Sequence, residues 1–117
     1  HNTSYVMNNL LFTKMVDKSV PVICTKHAIS RAIQRCKLLM TKDEKENPKL
    51  FLLNIFKETE ADLSVVFSPF YYNKMCSAHG PNSFIRRNDK FILMCCYDAL
   101  NNRIIIKSIM YKRGKFY

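Results

Sequence analysis

Phe91-Ile-Leu-Met-Cys-Cys-Tyr97 and Arg103-Ile-Ile-Ile-Lys-Ser-Ile-Met-Tyr111 decide how this chain is read. Both stretches are rich in β-branched and aromatic residues, which suit a pleated, half-buried surface. Asp98–Asn102 separates them, and Asn101-Asn102 tolerates the left-handed backbone of a tight connection. The two therefore read as an antiparallel hairpin. On its second strand, alternation places Arg103, Ile105, Lys107, Ile109 and Tyr111 on one face. Ile104, Ile106 and Met110 fall on the other, the expected core side.

Working upstream, Phe84-Ile85-Arg86-Arg87 resumes order after the loop His79-Gly80-Pro81-Asn82-Ser83. Phe70–Ala78 reads as a short helix. Leu50-Phe-Leu-Leu-Asn-Ile-Phe56 is an apolar run of strand length, and Leu63-Ser-Val-Val-Phe67 follows a charged turn. These two predict a second antiparallel hairpin. The charged stretch Lys42–Lys49, closed by Pro48, reads as a loop. Thr25 can cap a helix over about 26–40, with Ile29, Ile33, Cys36, Leu39 and Met40 as its apolar face. Arg31, Arg35 and Lys42 take the opposite side. Val20–Cys24 reads as a short strand with Pro21 near its start, and Tyr5–Val16 as a strand or short helix.

The expected fold class is α+β. It has a mainly antiparallel sheet of five to six strands, one long amphipathic helix packed on one face, and a second short helix. At 117 residues this makes a single domain over 1–117, whole or cut from a larger protein. The chain opens at His1 with no initiator Met and no signal-peptide pattern, which fits an excised or processed form.

Composition narrows the function. Apolar residues make up 48% of the chain, enough for a packed core, and no run is long enough to span a membrane. With only Gly80 and Gly114, the chain has no Gly-rich phosphate loop. Five cysteines, two of them adjacent, make a poor disulfide framework and point to a reducing, intracellular compartment, cytoplasm or nucleus. Asn2-Thr3-Ser4 is a formal glycosylation sequon that points the other way. High Asn, Lys, Ile and Tyr usage fits an AT-rich genome such as that of a virus or parasite.

The net charge of +10 is uneven. Residues 1–42 hold seven Lys/Arg and one acid, residues 43–62 three and six, and residues 63–117 nine and two. Such a field attracts polyanions, although a solvated Lys-rich surface is the plainer reading. Arg86, Arg87 and Lys90 precede the hairpin, and Lys112, Arg113 and Lys115 follow it. A closed hairpin brings its ends together, so these six cations should form one edge. Arg103 and Lys107, on the hairpin itself, extend the candidate nucleic-acid-binding set. Phe84, Phe116 and Tyr117 nearby would suit stacked bases.

Two Cys-x-x-His pairs, Cys24/His27 and Cys76/His79, supply the two thiolates and two imidazoles that Zn²⁺ prefers. No metal or cofactor is the default expectation, with Zn²⁺ at these four residues as the alternative. The acids cluster in two charged stretches, and no paired carboxylates sit in an apolar context, so no catalytic constellation is expected.

Phe84-Ile85-Arg86-Arg87, the alternating hairpin and Gly114-Lys115-Phe116-Tyr117 resemble the phosphotyrosine-pocket strand and central sheet of SH2 domains. The resemblance covers residues 84–117, the first helix lies too far upstream for that family, and no residue role is carried over. The chain is thus expected to be a non-enzymatic binding module for RNA or single-stranded DNA. The alternative is a protein–protein interaction domain of a larger, viral assembly, its partner offering an acidic surface.

Overall fold

The computed structural model describes residues 8–112. Its order is α1 (Asn9–Val16), β1 (Val22–Cys24), α2 (Lys26–Cys36), α3 (Lys42–Glu46), α4 (Pro48–Glu58) and β2 (Glu60–Ala61). Then come α5 (Leu63–Val66), α6 (Pro69–His79), β3 (Ser83–Arg87), β4 (Phe91–Asp98) and β5 (Arg103–Tyr111). The fold is α+β around one five-stranded mixed sheet, ordered β1-β5-β4-β3-β2. β1 runs parallel to β5, and the other neighbours are antiparallel. The expected hairpin at 91–111 is present, with Asn102 at φ +47 in its connection.

Two expectations are corrected by the helices. The apolar run at 50–56 is helical, and 63–67 holds a helical turn, so the hairpin predicted there does not exist. The run is Leu-rich rather than Val/Ile-rich, and Pro48 occupies the first helical turn, where its missing N–H costs nothing. Phe51, Leu52 and Ile55 are buried while Leu50 is 37% exposed, which is helical spacing. Residues 42–46, expected as loop, form α3 through a capping box: the Thr41 amide donates to Glu44 Oε1 (2.8 Å) and the Glu44 amide to Thr41 Oγ1 (3.2 Å). What pairs with β3 on that side is only the two-residue β2.

The long helix starts as expected, with Thr25 Oγ1 accepting from the Ala28 amide at 3.0 Å. It ends at Cys36 and runs on as a 3-10 turn over Lys37–Leu39. Its buried face is Ala28, Ala32 and Cys36, whereas Ile33 and Leu39 are exposed. Small side chains at i, i+4 and i+8 let α2 lie close against β5, so bulk was the wrong guide and spacing the right one.

In β4, Phe91, Leu93, Cys95 and Tyr97 are buried in strict alternation. α4 packs on that face, with the Phe51 ring 5.9 Å from Phe91 in an edge-on arrangement. In β5 the alternation breaks. Met94 lies opposite Ser108 but Cys95 lies opposite Ile106, leaving Lys107 as an extra residue. This bulge resets the faces, so Ile104, Ile106 and Ile109 are buried and Met110 is exposed. Ile109 and Met110 therefore exchange the roles that unbroken alternation assigns them.

Candidate nucleic-acid interface

The end of the sheet at the β3–β4 turn is built by short-range hydrogen bonds. Asn88 Oδ1 accepts from the amides of Lys90 (2.9 Å) and Phe91 (2.8 Å), which holds the turn in one shape. The Lys112 amide donates to the Lys90 carbonyl at 2.8 Å, and Lys112 Nζ reaches the Asn88 carbonyl at 3.4 Å. One pair inward, Phe91 stands opposite Tyr111, with ring centroids 5.5 Å apart. Lys90 and Lys112 therefore meet, as closure of the hairpin requires.

The other expected cations are placed differently. Arg87 is exposed beside the turn and pairs with Asp62 at 3.4 Å. Arg86 alternates to the core face. Its guanidinium lies 4.0 Å from the centroid of the Phe56 ring, Nη2 donates to the Phe56 carbonyl at 2.9 Å and also to the Thr59 carbonyl, and Nε donates to Thr59 Oγ1 at 3.3 Å. It closes the C-terminus of α4, where carbonyls lack helical partners. Burial lowers the pKa of this guanidinium from its ordinary value. Arg103 sits at the far end of the hairpin, where it pairs with Asp98 at 2.9 Å. The Asn101 side chain, with Arg103 after it, holds the Asp98 carboxyl below its usual range. Lys107, at the bulge, donates from Nζ to the His79 carbonyl at the end of α6 (2.8 Å). Arg113 and Lys115, with Phe116 and Tyr117, lie outside the described residues. Phe84 is fully buried and belongs to the core.

One further cation, distant in sequence, reaches β5. Arg35 Nη1 donates to the Ile109 carbonyl at 2.8 Å. Among the described residues β1 pairs with 104–106, and Arg35 bonds a carbonyl of β5 beyond that pairing. In the sequence Arg35 is one position on the wet side of a helix, with no local pattern that ties it to residue 109.

The four residues of the two Cys-x-x-His pairs lie on three elements. Cys24 is half-buried on β1, His27 is exposed in the first turn of α2, Cys76 is buried in α6, and His79 is exposed at the end of α6. Among the described residues, no group of three or more His, Cys, Asp or Glu side chains comes together to hold a metal ion. Burial pushes the Cys24, Cys95 and Cys96 thiols up, which disfavours thiolate. None of the five cysteines is in a disulfide.

Among the described residues no helix is long and apolar enough to cross a membrane. No family model, no curated protein and no solved structure matches this chain.

Proposed function

We propose that the chain is a non-enzymatic module that binds nucleic acid through the cationic end of its sheet. The observation that carries this reading is the Lys112–Lys90 backbone bond, which joins the two ends of the hairpin. Arg87 and Arg35 flank that junction, and Arg113 and Lys115 follow Lys112 directly in sequence. Phosphate contacts need only cations held at one surface, and they work by releasing counterions. Arg86 and Arg103 act in the fold and not in the interface on this reading. Five cysteines outside any disulfide fit a reducing compartment, so the proposed setting is cytoplasm or nucleus.

The test is a salt titration with a labelled oligonucleotide. Four phosphate contacts give a slope of log affinity on log salt of roughly −3 for a single strand. Lys90→Glu together with Lys112→Glu should flatten that slope by more than one unit and weaken binding at low salt by at least about tenfold. Wild-type slope in the double variant would reject the site. Binding of an acidic protein, with no nucleic-acid binding, would favour the interaction-domain reading instead.

A further inference from the structure

The corner between α5 and α6 presents three aromatic side chains to solvent. Phe67, Phe70 and Tyr71 are 56%, 69% and 59% exposed. They are set in place by a tight connection: the Phe67 amide donates to the Leu63 carbonyl at 3.0 Å and the Tyr72 amide to the Ser68 carbonyl at 2.9 Å. Pro69 starts α6 in its first turn. The rings are also ordered by one another. Phe67 leans on Phe12 of α1 at 5.5 Å, and Phe70 meets Tyr71 edge-on at 5.2 Å. The inward face of α6 is already filled by Tyr72, Met75 and Cys76, so the core does not require Phe70 or Tyr71.

Charge says what could cover such a surface. Lys74 is exposed and lies one helical turn beyond Phe70 and Tyr71, on the same side of α6. At the other end of α5, Asp62 accepts from the Ser64 amide at 3.1 Å and pairs at 3.4 Å with Arg87, itself opposite Glu60 in the sheet, which ties the β3–β4 end of the sheet to the start of this corner. A second copy of the chain is a poor occupant, because two molecules at +10 repel. A ligand with flat apolar faces and regularly spaced negative charges matches both features. In a duplex those faces are hidden in the stack, whereas a single strand can turn them outward.

We infer that Phe67, Phe70 and Tyr71 form a stacking platform for the bases of single-stranded nucleic acid, with Lys74 and Arg87 on its phosphates. This rests on the nucleic-acid reading above and adds to it a preference for single strands over duplex. The backbone tracks from the β3–β4 turn past Arg87 onto α5 and α6. The aromatic contacts supply affinity that salt does not screen, and the cations supply the part that it does.

The experiment compares a 12-nucleotide oligo-dT with a duplex of equal length. Phe70→Ala with Tyr71→Ala should lower single-strand affinity by tenfold or more and leave both the duplex affinity and the salt slope as in wild type. The chain has no Trp, so Phe70→Trp gives a single tryptophan whose emission should be quenched at saturation by oligo-dT. Both positions are exposed, and far-UV circular dichroism confirms that the variants keep their fold. Wild-type single-strand affinity in the double Ala variant, or unquenched emission in Phe70→Trp, overturns the platform. If the Lys90/Lys112 variant still flattens the salt slope in that case, the cationic end stands without it. If the wild-type protein binds neither oligonucleotide, both proposals fall.

Discussion

Arg86 stands on the Phe56 ring and holds the last carbonyls of α4 from β3. A cation in this position is part of the architecture. It locks a helix on one side of the sheet to a strand that would otherwise carry a charge over its core face. Arg86→Ala should cost about 2–4 kcal/mol of stability, from lost charge-assisted hydrogen bonds and the cation–π contact. Arg86→Lys should recover only part of that, because a single ammonium cannot reach the same set of carbonyls and still cover the ring. Urea unfolding of the three proteins is the measurement. A variant as stable as wild type would show that α4 needs no such closure.

The bulge at Lys107 makes a sharper claim, because it reverses two neighbours. Ile109→Ala should lose about 2–4 kcal/mol, and Met110→Ala less than about 0.5 kcal/mol. With Lys107 deleted, Ser108 would follow Ile106 in unbroken alternation, so Ile109 should stay inward and the sheet keep its register, losing only the Lys107 bond to the His79 carbonyl. The reverse order, with Met110→Ala the costlier of the two, would mean that the strand alternates without interruption.

Glu44 gives a pH-dependent term. Its carboxyl accepts from the Thr41 amide and from Asn54 Nδ2 at 2.9 Å, and the Thr41 amide bond leads in lowering its pKa from the ordinary 4.5. A carboxyl with a lowered folded pKa stabilises the protein above its unfolded value. That contribution is lost as pH falls below about 4.5 through the folded value. Glu44→Gln should therefore be less stable than wild type at pH 7, with the gap closing in acid. Thr41→Ala should cost about 1 kcal/mol through the other half of the same box. Thermal melting of the three proteins between pH 3 and pH 7 reads both effects. A gap between wild type and Glu44→Gln that stayed constant down to pH 3 would remove Glu44 from the account.

Thiol chemistry should follow burial. Cys36, Cys76 and Cys95 are closed off, while Cys24 and Cys96 are half-buried with thiols pushed upward. An alkylating agent at neutral pH should modify the native protein slowly, at Cys24 and Cys96 first. All five should react once the chain is unfolded in denaturant. Mass mapping of the modified sites would show the order. Fast labelling of Cys95 in native protein would contradict its place under the sheet.

How much of this was visible beforehand depends on whether the signal was local. The β4–β5 hairpin was legible, because its strands, its Asn-rich connection and its partner lie within one short stretch. Thr25 was legible as a cap for the same reason. The run at 50–56 is ambiguous, because an apolar stretch of seven suits a strand or a buried helix equally, and Leu against Val decides between them only weakly. The Thr41–Glu44 box is a local signal too, set against the charge density and Pro48 of 42–49, which point to a loop. Lys90 and Lys112 could be brought together on paper because a hairpin does it. Arg35 could not, since it reaches residue 109 through packing of α2 on β5. Nor could the inward turn of Arg86: alternation places it on the core face, but its partners Phe56 and Thr59 belong to a segment read as strand and turn.

The parallel pairing of β1 with β5 joins positions 82 residues apart, as between Thr25 and Lys107. During synthesis the first strand leaves the ribosome long before its neighbour exists. α2 emerges just as early, and β5, the surface it lies against, follows only after α6, β3 and β4. The amino-terminal half must therefore wait with its apolar side uncovered, which makes it the segment most in need of a chaperone and most exposed to proteases. Nascent chains stalled before Ile104 should stay protease-sensitive throughout, and resistance should appear in one step once β5 has cleared the tunnel.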